Sequence, residues 1–105
     1  MTTKPKSRAI RQLEKVHGGP LSLGAFIASI REGEGWSLAE MAKKLKVTRA
    51  HIAAIEHGKP VTPQSAARYA KALGYSEAQF VRLALQDSLH RAHLFYAVEV
   101  VAQSG

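Results

Sequence analysis

The chain contains no cysteine, and acidic residues are scarce, with only eight Asp and Glu among 105 residues. Without cysteine there is no disulfide and no thiolate metal site, so an apolar core and well-closed helix ends must hold the fold together. No uninterrupted apolar run is long enough to cross a bilayer, and the opening MTTKPKSR lacks the apolar region of a secretory signal, so the expected location is the cytoplasm with no membrane partner. A Gly-rich phosphate loop is also missing: Gly18, Gly19, Gly33, Gly35, Gly58 and Gly74 all fall where a helix would begin or end. Against the few acids stand fifteen Lys and Arg, a net charge of +7, which suits a partner that is a polyanion. The length allows one small domain with a modest core and free ends.

The most informative stretch runs from Trp36 to Lys59, WSLAEMAKKLKVTRAHIAAIEHGK. Leu38, Met41, Ala42 and Leu45 recur at helical spacing, and Ser37 with Glu40 forms a capping box, which predicts a helix over about 38–44. Val47, Ile52 and Ile55 give a second stripe behind Thr48, a good N-cap, and predict a helix over about 49–57. Only three or four residues separate the two, so the helices must cross steeply, and Ala42 is small enough to let the backbones approach. That is helix-turn-helix geometry. With the apolar residues turned inward, the second helix shows Arg49, Ala50, Ala53, Ala54 and His57 outward, a slim face that fits a major groove.

Taken together, these residues resemble the Xre/Cro-like helix-turn-helix domains of phage repressors and many bacterial regulators. The likeness spans about Leu21 to Leu85 and rests on Ala42, Val47, Ile52, Ile55 and the closing run Ile55-Glu56-His57-Gly58-Lys59. It implies that Arg31 and Glu56 form a structural ion pair between the first helix and the end of the recognition helix. The chain departs from the family pattern at two places. Lys46 stands where the turn usually has Gly, at a strain of about 1–2 kcal/mol if the residue is left-handed, and Leu38 stands where Gln is often found.

The flanking segments complete an all-α, five-helix repressor-like domain over 21–93. Residues 1–20 hold Lys4, Lys6, Arg8, Arg11 and Lys15 against Glu14 alone, a net of +4, and read as a basic flexible arm with a short amphipathic helix from Arg8 to Val16. A first core helix from Leu21 to Glu32 is capped by Ser22, presents Leu23, Phe26, Ile27 and Ile30 on one face, and has Leu21 placed to staple onto Phe26. Thr62 and Pro63 open a fourth helix that carries Ala66, Ala67, Tyr69, Ala70 and Leu73. Ser76 with Gln79, and Tyr75 facing Phe80, open a fifth that carries Val81, Leu83, Ala84, Leu85 and Leu89. Trp36 is a staple partner for Met41 before it is a stacking residue.

Residues 94–105 change character, because Leu94-Phe95-Tyr96-Ala97-Val98-Glu99-Val100-Val101 is aromatic and β-branched and predicts a C-terminal strand. A lone strand needs a partner, and nothing earlier in the chain supplies one. The expected partner is the same strand in a second copy, with Phe95, Tyr96, Val98 and Val100 at the dimer interface.

Enzymatic chemistry finds little support. Asp87, Ser88 and His90 are triad residue types, but neighbours on one helix point apart, and His90 with His93 lacks a third ligand for zinc. The expectation is a non-enzyme with no catalytic residue, metal or cofactor. The resemblance makes it a sequence-specific regulator of double-stranded DNA, most simply a repressor acting as a homodimer on a palindromic operator. Arg49 is the first choice for base readout, because a guanidinium there can bridge O6 and N7 of a guanine. By family position Ala50 and Ala54 also face bases, and Thr48, His51, Lys43, Lys46 and Lys59 are phosphate contacts. The rival reading is an antitoxin of the HigA type, which would bind a toxin protein and repress its own operon. Binding of single-stranded nucleic acid would require exposed aromatics, whereas those here fall at cap and core positions.

Overall fold

A computed structural model of the chain describes residues 22–103. The basic arm, its short helix and the staple from Leu21 fall outside them. Five helices follow in order: α1 (Leu23–Glu34), α2 (Leu38–Leu45), α3 (Arg49–Glu56), α4 (Pro63–Leu73) and α5 (Glu77–Arg91). Local chemistry accounts for every start. Hydroxyls of Ser22, Ser37, Thr48, Thr62 and Ser76 each accept the backbone N–H three residues on, satisfying a donor that the first helical turn would otherwise leave bare. At Ser37 the box is complete, since Glu40 takes the Ser37 N–H in return, and that bond holds the Glu40 carboxyl below its usual range.

The ends share one device. After each helix a pair of bonds runs back to the last turn, as in Gly35 N–H to Glu32 and Trp36 N–H to Arg31, or Lys46 N–H to Lys43 and Val47 N–H to Ala42. This motif needs a left-handed residue one place past the cap. In the turn between α2 and α3 that residue is Lys46, with φ 57° and ψ 45°, so the turn keeps its family shape without the usual glycine. His93, φ 59°, does the same after α5.

The core is one apolar cluster fed by all five helices: Leu23, Phe26, Ile27 and Ile30 from α1, Met41, Ala42 and Leu45 from α2, Ile52 and Ile55 from α3, Ala66, Tyr69 and Ala70 from α4, and Phe80, Leu83 and Ala84 from α5. Trp36 packs half-buried against it. Phe26, Tyr75 and Phe80 meet as a triangle of rings with centroids 5.7–5.9 Å apart, which ties α1 to the start of α5. Helix α4 lies along α5, and α1 packs against both α3 and α5. The recognition helix is thereby clamped from behind on its Ile52 and Ile55 side.

The expected C-terminal strand is not present, and no strand occurs among the described residues. Helix α5 runs two residues past Leu89, and the segment after it is irregular. Two of the backbone groups that a neighbouring strand would have satisfied are met instead by one side chain. Gln86, buried on α5, donates from Nε2 to the Tyr96 carbonyl at 2.7 Å and accepts the Val98 N–H at Oε1 at 3.0 Å. β-Branched composition alone does not make a strand when a buried amide offers both bonds first.

Candidate nucleic-acid interface

The recognition helix is anchored at both ends before any ligand arrives. At its start, the Thr48 hydroxyl takes the His51 N–H at 3.0 Å. At its end, Glu56 accepts two bonds from one guanidinium: Arg31 Nε to Oε2 at 2.8 Å and Nη2 to Oε1 at 3.1 Å. Arg31 Nη1 adds a bond to the Trp36 carbonyl at 3.1 Å. Both side chains are largely buried, and the Glu56 carboxylate raises the Arg31 pKa further above its already high ordinary value. The fork therefore ties α1, the α1–α2 turn and α3 together, with geometry that fits a carboxylate in two bonds.

Around this frame Arg49 and Ala50 stand exposed on the first turn of α3, while Ala53 and Ala54 are half-buried along it. Lys43, Lys46, Thr48 and Lys59 are exposed beside the helix. Lys44 folds over Trp36, its ammonium 4.3 Å from the ring centroid, a cation–π placement that occupies it within the protein. His57 turns back on its own helix and donates from Nδ1 to the Ala53 carbonyl at 2.8 Å. His51 is half-buried, with Lys59 Nζ 3.1 Å from its Nδ1 and the Tyr69 hydroxyl 3.4 Å from its Nε2. Thr48, Arg49, Ala50, His51 and Lys59 thus gather at the amino end of α3.

The dimerisation candidates lie elsewhere. Phe95 and Tyr96 are 82% and 68% exposed, far more than any core aromatic, whereas Val98 and Val100 are half-buried. Two of the three triad-like residues of α5 make structural contacts, and the third, Ser88, is exposed. Asp87 accepts the Leu23 N–H at 3.0 Å and so caps α1 from a helix far along the chain, and His90 sits near Gln86 and the Phe95 ring. Among the described residues no three His, Asp or Glu side chains group closely enough to hold a metal ion, and no helix is long and apolar enough to cross a membrane.

Three contributors escaped notice in the sequence. Gly24 lies inside α1, where a Cβ would stand 2.1 Å from the Ile55 carbonyl oxygen, so α1 and α3 touch backbone to backbone. A glycine within an apolar-periodic helix was the available signal. Asp87 and Tyr69 act across gaps of 64 and 18 residues, for which a lone sequence carries no sign.

A family model described as Helix-turn-helix matches residues 27–80, just over half of the chain, from within α1 to the first turn of α5. No curated protein and no solved structure matches.

Proposed function

Since the chain belongs to the Xre/Cro-like helix-turn-helix family of DNA-binding regulators, we propose that it acts as a repressor, gripping a palindromic operator as a homodimer. The observation that carries this reading is the amino end of α3. An arginine and an alanine stand clear of the protein there, on a helix held rigid by Thr48 at one end and by the Arg31–Glu56 fork at the other. Arg49 reads a guanine, Ala50 and Ala54 offer methyl contacts to thymine, and Lys43, Lys46, Thr48 and Lys59 hold phosphates that set the register. A short helix reads only a few base pairs, so tight binding needs two copies with recognition helices about 34 Å apart. Residues 21–93 would be the DNA-binding unit, the tail from residue 94 would join the copies, and the basic arm of residues 1–20 would add phosphate contacts.

The exposed Phe95 and Tyr96 favour a protein partner for the tail, and they also support the second reading, an antitoxin whose tail holds a toxin. Selection from a pool of random duplexes tests the first reading. An inverted repeat with half-sites one helical turn apart is the expected result. A single asymmetric site would remove the homodimer, and a stable complex with the product of an adjacent gene would favour the antitoxin.

A further inference from the structure

His51 lies on the first turn of α3, where a side chain would ordinarily meet DNA, yet both of its ring nitrogens are engaged inside the protein. Lys59 Nζ is 3.1 Å from Nδ1. An ammonium has only protons to give, so Nδ1 must be the bare nitrogen, and in the neutral ring the proton belongs to Nε2. Nε2 faces the Tyr69 hydroxyl at 3.4 Å, and Tyr69 is itself 2% exposed, a fixed post in the core. The backbone that carries the ring is fixed as well, because the His51 N–H is held by the Thr48 hydroxyl. A chain of contacts therefore runs from the buried Tyr69 of α4 through His51 to an exposed lysine that sits in the loop after α3 and is drawn back over the start of that helix.

We propose that His51 is a positioning residue: it does not hold DNA itself but presents Lys59 to a phosphate. Lys59 has three N–H donors and gives one to His51, which leaves two to bind a phosphate oxygen. A long flexible side chain loses rotamer freedom when it binds, and holding it beforehand removes part of that loss. The inference rests on reading α3 as the DNA-facing helix and concerns how one phosphate contact is prepared.

Phosphate contacts do not depend on sequence, so a mixed-sequence duplex at low salt is a sufficient probe. Lys59→Ala should weaken binding about tenfold and reduce the salt slope by about one. His51→Ala should weaken it about threefold or more, and the double variant should bind no worse than Lys59→Ala alone, because the histidine works through the lysine. His51→Gln restores an acceptor for Lys59 and a donor for Tyr69, and should bind within about twofold of wild type. The imidazole nitrogens in a long-range proton–nitrogen spectrum should show Nε2 protonated and Nδ1 bare. Additive losses in the double variant would make His51 a DNA contact in its own right and overturn the proposal. So would an Nδ1-protonated ring, a His51→Ala variant that binds as wild type, or a Lys59→Ala variant that does. Wild-type protein that binds no duplex at all would instead overturn the DNA reading of α3.

Discussion

Gly24 and Ile55 pack with no room for a side chain between them: a β-carbon on Gly24 would lie 2.1 Å from the Ile55 carbonyl oxygen. This contact sets how deeply the recognition helix seats on α1. Alanine in place of glycine would gain about 1 kcal/mol of helix propensity in an unhindered helix. Here the obstacle is backbone, which cannot rotate away, so Gly24→Ala should instead destabilise the protein by about 3 kcal/mol or more. Thermal or urea unfolding checks this, and a variant as stable as wild type would mean that α1 and α3 can separate at little cost.

The Arg31–Glu56 fork gives a second expectation. Glu56→Ala strands a largely buried guanidinium and should cost about 2–4 kcal/mol, while replacing both residues with apolar ones of similar size should cost less than either single change. A double-mutant cycle measures the coupling, and purely additive losses would show that the bond geometry carries no energy.

Asp87 predicts a dependence on pH. Burial pushes its carboxyl above the usual Asp range, while the Leu23 N–H and the charges of Arg91 and His90 pull the other way. The folded protein therefore keeps this proton to higher pH than the unfolded chain does. Stability from this group is fullest below the ordinary Asp range and is lost as pH rises through the folded value. Asp87→Asn can still accept the Leu23 N–H, so it should be at least as stable as wild type at neutral pH and should flatten that part of the pH profile. A loss of about 1 kcal/mol or more at neutral pH would show that α1 needs the negative charge at its start.

The tail gives a prediction about assembly. Deleting the residues after His93 returns the Gln86 amide to water, at a cost of about 1 kcal/mol, and should leave a folded monomer with weak, salt-sensitive affinity for any duplex. Sedimentation decides the point. A truncated protein that remains dimeric would move the interface to α5, where Phe80 and Leu83 are core and only the half-buried stripe of Val81, Leu85 and Leu89 is available.

How much of this was legible in the chain depends on the range of the interaction. Ser22, Ser37, Thr48, Thr62 and Ser76 announce their helices because a cap acts on the N–H three residues on. The apolar faces are equally plain, since a period near 3.6 leaves Ile52 and Ile55 nowhere to go but inward. Lys46 takes the left-handed turn position against its own preference, because the bonds to Ala42 and Lys43 hold it there. The tail misled, because Phe95 to Val101 has strand composition, whereas Gln86, which bonds the Tyr96 carbonyl and the Val98 N–H, reads in the sequence as one more polar residue on a helix. Gly24, Asp87 and the His51–Tyr69 contact are tertiary, and only the fold brings their partners near.

Arg49 tests the central claim most directly, because it is exposed on the first turn of α3 and the proposed function assigns it the reading of a base. Binding of wild type and Arg49→Ala to a selected duplex and to its scrambled version, followed by fluorescence anisotropy, separates reading from holding. The expected result is a loss of roughly ten- to a hundredfold on the selected duplex with little change on the scrambled one, and a stability within about 0.5 kcal/mol of wild type. An equal loss on both duplexes would contradict base readout and reduce Arg49 to a phosphate contact.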